Sequence, residues 1–210
     1  MRRPKIAWNF KVLSAIAVSV VLGACRNESP RPAAAAQPPV AASGVIDSAI
    51  PVDVALTRFR RDLSKPERLH SDVFARDALV KRVVVALSKA DTAMVERLAL
   101  DRAEYAWFYY PTTTISRPPY ELPPALAWFQ LQEKNRKGAL RALRELGGHR
   151  VELRGYRCAP KPTQEGDNRL WTGCLVTIAR DGAAPVSIRL FGAIIERGGR
   201  FEVLSYANDF

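Results

Sequence analysis

The sequence predicts an α+β fold, with helices packed on one face of a curved antiparallel four-strand meander. Two observations carry this. Between Ser71 and Leu146, apolar residues recur at helical spacing beside capping residues. From His149 onward, short apolar runs alternate with glycine-containing turn pairs. Residues 53–210 are a length that suits one domain with one core.

The chain opens with a different kind of segment. Residues 1–11 contain Arg2, Arg3, Lys5 and Lys11 and no acid, and Val12–Leu22 is an uncharged run. A bilayer-spanning helix needs about 20 apolar residues. A basic start with a short apolar core instead describes a secretory signal peptide, residues 1–24. At its end, Leu22-Gly23-Ala24-Cys25 resembles the lipobox of bacterial prolipoproteins. The resemblance implies cleavage before Cys25, a diacylglyceryl thioether on its sulfur and acylation of its new amino group. Two chains anchor stably, at about 0.8 kcal/mol per buried CH₂. The expected address is the cell envelope, with the domain facing the periplasm. Arg26 follows the cysteine where aspartate would favour the inner membrane, so the outer membrane is preferred. The expected partners are this membrane and an unidentified protein or small molecule. The compartment excludes nucleic acid. Residues 25–52 hold Pro30, Pro32, Pro38, Pro39 and Pro51 among alanines, a tether that cannot bury enough apolar surface to offset chain entropy.

In the domain, residues 53–70 are mixed and basic, and loop or a frayed helix is expected. A helix follows over 71–89, capped by Ser71 or Asp72, with Phe74, Leu79, Val83, Val84 and Leu87 on its apolar side. Asp91-Thr92 caps a second, and Arg102–Tyr110 forms a further helical stretch ending at Pro111. After a proline-rich connection, a helix starts near Pro124 and ends at Gly147-Gly148. Gly138 is expected to weaken or bend it. Four strand runs follow, at 149–158, 169–180, 185–197 and 200–208. Cys158 and Cys174 flank a turn-rich segment whose midpoint is Gly166, so a hairpin folded there sets them opposite each other. With Cys25 lipidated, these two form an even pair in an oxidising compartment, and a disulfide is expected.

This order of elements, with Ala86-Leu87-Ser88-Lys89-Ala90-Asp91 leading one helix into the next, resembles the nuclear transport factor two-like (SnoaL-like) superfamily over residues 71–209. The resemblance implies a cone-like roll enclosing a pocket. Relatives such as the ketosteroid isomerases use a carboxylate base and a donor pair there. No residue of this chain matches those positions by motif, so none is carried over. A proline-rich stretch also stands where the family often has a hairpin.

Candidate pocket residues therefore come from composition. Asp101 and Glu104 are the acids beside the aromatic cluster that includes Tyr105, Tyr109 and Trp128, while Tyr206 and Asn208 share a strand face. Arg136, Lys137, Arg141 and Arg144 give the long helix a basic side able to contact anionic envelope components. The net charge is +11, and +7 once the four cations of residues 1–24 are removed. His70 and His149 are far apart in sequence and lack cysteine or acid spacing, so no metal is expected. No phosphate-cradling loop, nucleophile elbow or cofactor motif is present. The expected function is a membrane-anchored, non-catalytic domain that binds a ligand or partner. The alternatives are an isomerase-, cyclase- or hydrolase-type enzyme and a module for anionic envelope components. A fatty-acid probe should label the wild-type chain and not Cys25→Ala; equal labelling of both would remove the lipid anchor.

Overall fold

The computed structural model describes residues 50–210, so the expected signal peptide, Cys25 and most of the tether lie outside the described residues. The domain is α+β. Its helices are α1 (Val52–Arg60), α2 (Arg76–Ser88), α3 (Thr92–Arg97), α4 (Arg102–Glu104) and α5 (Pro124–Leu146). Its strands are β1 (Val151–Arg157), β2 (Thr163–Glu165), β3 (Asn168–Thr172), β4 (Leu175–Arg180), β5 (Val186–Ile188), β6 (Ala193–Arg197) and β7 (Arg200–Ser205). None of these helices is long and apolar enough to cross a membrane.

The strands make two antiparallel sheets, not one four-strand meander. Their orders are β1-β4-β5 and β2-β3-β6-β7. The run 169–180 breaks at Gly173, whose φ of +61° turns the chain, so β3 and β4 join different sheets. The run 185–197 breaks likewise between β5 and β6 around Leu190–Gly192. The segment expected to turn at Gly166 does so, with φ of +59°, but it also contributes the short β2, paired Glu165 to Asn168 and Thr163 to Leu170. Cys158 and Cys174 are disulfide-bonded. They continue the β1–β4 ladder one step beyond the Arg157–Leu175 pair, so the bond ties the sheets where the chain leaves one for the other. Closing this loop is worth about 3 kcal/mol in the chain-entropy model.

The four-stranded sheet is buried on both faces. Ile194 and Val203 belong to one core cluster, with Leu79, Val83 and Leu87 of α2. Ile195 and Leu204 belong to the other, with Phe59 of α1, Tyr105, Tyr110 and Ala127 of α5. Alternate residues point to opposite faces, so each core takes every second side chain of β6 and β7.

Two helices differ from expectation. Residues 52–60 form α1, held by Phe59 in the core and by Arg60, whose guanidinium donates to the Ala106 carbonyl at 2.7 Å and stacks on Trp107. The helix expected from Ser71 begins at Arg76. Ser71 Oγ instead accepts from the Val73 amide, and Asp72 pairs with Arg82. Phe74 consequently lies outside the core, 65% exposed.

Helix α5 runs unbroken, and its Gly138 has a specific use. A Cβ there would sit 1.9 Å from the Tyr206 carbonyl oxygen. The glycine lets the helix lie directly on the segment that follows β7. Asn135 Nδ2 donates to the Leu204 carbonyl at 3.2 Å, and its Oδ1 accepts from the Tyr206 amide at 2.9 Å. Asn208 Nδ2 donates to the Gly138 carbonyl at 2.7 Å. Gly138→Ala should lower unfolding stability by about 3 kcal/mol, as overpacking against backbone does. Gly155→Ala, which meets open space, should change it by less than about 0.5 kcal/mol. Denaturant unfolding of both variants checks this, and equal stability would contradict the close approach.

Candidate functional site

A groove of about 640 Å³ lies between α5 and the α3–α4 segment. Its apolar surface comes from Val95, Leu100, Ala139, Leu140 and Leu143. Arg97, Arg102, Glu133, Arg136 and Trp128 add polar and aromatic groups, and His70 also lines it. Tyr206 is buried against it, and its hydroxyl donates to the Val95 carbonyl at 2.7 Å, which binds α3 to the end of β7.

The sequence candidates divide between groove and core. Asp101, Trp128 and Tyr206 line the groove. Tyr105 is a core residue whose ring meets Phe59, Tyr109, Tyr110 and Trp128. Burial raises the Tyr105, Tyr109 and Tyr206 phenols, keeping them neutral. Tyr109 is half-buried, and Asn208 is spent on Gly138. On the basic side of α5, Arg136 pairs with Glu133, Lys137 lies 3.9 Å from that carboxylate, and Arg141 donates to the Phe210 carbonyl. Arg144 is exposed.

Asp101 and Glu104 form a capping box at the start of α4. The Glu104 amide donates to Asp101 Oδ1 at 2.7 Å, and the Asp101 amide donates to Glu104 Oε2 at 3.0 Å. Glu104 is fully buried and goes further. Its Oε1 accepts from the His70 amide, and its Oε2 lies 2.9 Å from His70 Nδ1. Glu202 of β7 completes the cluster. It shares the face of Leu204, so it points to the side of the sheet where α4 lies. Its Oε1 accepts from the Ser71 amide at 2.8 Å and stands 3.2 Å from His70 Nδ1. Glu202 Oε2 is buried without a hydrogen-bond partner. The nitrogen and the two carboxylates offer donor atoms all within 4.8 Å of one another. Sequence inspection missed this trio, whose members are 34 and 98 residues apart. The only sequence trace of Glu202 is an acid inside the apolar run Phe201–Leu204.

The charges are strongly linked. Burial pushes the Glu202 carboxyl up to about 9, and the Glu104 charge adds to this. The hydrogen bond to Glu104 raises His70 to about 9 against the opposing effect of burial. Burial also pushes Glu104 up, but the hydrogen bonds from His70 and Asp101 outweigh it and hold Glu104 below the ordinary value. Among the described residues, neither glutamate has a lysine or arginine within ion-pair distance.

Compared with protein-family models, with curated proteins and with solved structures, the chain matches none.

With divalent ions chelated, His70 and Glu202 keep their protons in the folded state to higher pH than in the unfolded chain. Their contribution is present at low pH and lost as pH rises toward 9; Glu104's is present above its ordinary 4.5 and lost below. The chelated protein should therefore melt at its highest temperature near pH 4.5 and progressively lower up to pH 9. Glu202→Gln should flatten the alkaline decline. A melting temperature that rises from pH 6 to 9 would contradict the linkage.

Proposed function

We propose that this chain is a lipid-anchored envelope protein whose domain binds a small amphipathic molecule in the groove between α5 and the α3–α4 segment. The groove carries the reading. At about 640 Å³ it falls within the range of small-molecule sites, and its mixed lining, apolar at Val95, Leu100, Leu140 and Leu143 and charged at Arg97, Arg102 and Arg136, suits an amphipathic ligand. The anchor rests on Leu22-Gly23-Ala24-Cys25 and the proline-rich segment after it. The Cys158–Cys174 bond supports an oxidising compartment. The likeness to the nuclear transport factor two-like superfamily belongs to this reading. The helices-first, strands-last order supports it, as does a concavity walled by the long helix.

Binding is favoured over acid–base catalysis for a specific reason. Glu104 accepts backbone amides at both carboxylate oxygens, Asp101 Oδ1 is held by the Glu104 amide, and both ring nitrogens of His70 are engaged, Nε2 with the Arg97 carbonyl at 2.8 Å. A general base must lie within hydrogen-bond reach of its substrate, and the Glu104 oxygens face the His70 and Asp101 amides.

The probe is 1-anilinonaphthalene-8-sulfonate, an apolar anion whose fluorescence rises on leaving water. Wild type should bind it saturably at one site. Ala139→Trp, which fills the groove from α5, should weaken that binding at least tenfold without changing the circular dichroism spectrum. Unsaturable binding, or equal binding by the variant, would overturn the reading.

A further inference from the structure

We propose that His70, Glu104 and Glu202 form a binding site for one divalent transition-metal ion of the zinc class, with His70 Nδ1 and one oxygen of each carboxylate as its protein ligands. The inference stands on the trio itself and holds whether or not the groove takes an organic ligand.

The argument begins with the tautomer of His70. A carbonyl oxygen only accepts, so Nε2, 2.8 Å from the Arg97 carbonyl, carries a hydrogen. In a neutral ring, Nδ1 then bears a lone pair. That lone pair faces Glu104 Oε2 at 2.9 Å and Glu202 Oε1 at 3.2 Å. Three electron-rich atoms at these distances repel unless something positive lies among them.

Two arrangements supply it. In the first, protons do so: one on Nδ1 and one on Glu202. The Glu202 proton is then poorly served. If it sits on Oε2, that oxygen has no acceptor, and if it sits on Oε1 it can turn to Glu104, but Oε2 is then left buried without a partner. A buried polar group left without a partner costs about 1–3 kcal/mol. In the second, a divalent cation occupies the space. It neutralises both carboxylates at once, takes the Nδ1 lone pair and gives Glu202 a partner. With no lysine or arginine within ion-pair distance of either glutamate among the described residues, its charge matches what the site lacks.

The surroundings are those of a ligand set. Zinc–nitrogen and zinc–oxygen bonds of about 2.0–2.2 Å put tetrahedral ligands about 3.4 Å apart, so the observed separations need only a small opening. Each prospective ligand is oriented by a second contact: His70 through the Arg97 carbonyl, Glu104 through the His70 and Asp101 amides, and Glu202 through the Ser71 amide. Metal-ligating imidazoles and carboxylates are held in this way. The His70 side chain is 36% exposed and lines the groove, which provides an entry path. Three protein donors leave a fourth position for water.

The test uses the untagged full-length chain in detergent, stripped with EDTA and titrated with zinc chloride. One ion per chain should bind and survive gel filtration. Glu202→Gln should weaken binding about a hundredfold or more. His149→Ala, which removes the exposed His149–Asp181 pair, should bind as wild type does. The zinc absorption edge of the wild-type complex requires no variant and should show one imidazole nitrogen with oxygen ligands. Absence of stoichiometric zinc, a first shell containing sulfur or no imidazole, or loss of binding in His149→Ala but not in folded Glu202→Gln would overturn the proposal.

Discussion

The contact on which the domain depends is the direct seating of α5 on the chain leaving β7. After Ser205 the backbone has left its ladder, and its polar groups need partners elsewhere. Asn135 accepts from the Tyr206 amide and also donates to the carbonyl of Leu204 within β7, while Asn208 returns a bond to Gly138. A helix can come this close to another backbone only where a residue lacks a Cβ. The same seating fixes Tyr206, whose hydroxyl reaches α3, so the α5 and α3 sides of the groove are set by one patch of packing.

The two-faced sheet explains the second feature of the molecule. Because β7 is covered on both sides, its alternation does not separate apolar inside from polar outside. It divides residues between two interiors. Phe201 and Val203 enter one core, and Glu202 and Leu204 enter the other side. A glutamate so placed is itself buried from water. It is accommodated because the loop before α2 brings the Ser71 amide and His70 to it, and because the first turn of α4 brings Glu104. The cluster joins three stretches of chain whose only common property is that their polar groups need one another.

Much of this was legible in the sequence. The helices at α2 and α5 follow from apolar spacing, and the strand-rich second half follows from its turns. The Cys158–Cys174 bond was also legible, because a turn at Gly166 brings the two positions together. What escaped was set by tertiary partners. Local pattern cannot show that the run 169–180 splits between two sheets at Gly173, nor that Val52–Arg60 is helical because Arg60 finds the Ala106 carbonyl. Gly138 reads locally as a weak point in a helix, and only its neighbour across the interface reveals it as a seat. Candidate residues fared likewise. Asp101, Trp128 and Tyr206 meet at the groove, whereas Tyr105 and Asn208 serve packing and backbone bonds. His70 gave no signal, since its carboxylate partners lie far along the chain.

The seating of α5 is tested most directly by hydrogen exchange at the Tyr206 amide. If Asn135 Oδ1 holds that hydrogen inside a closed interface, the amide exchanges only when the whole domain unfolds, at the rate of the slowest amides of β6 and β7. Exchange as fast as that of an open loop, with β7 itself still protected, would show that the helix does not rest on this segment and that the groove lacks the wall described.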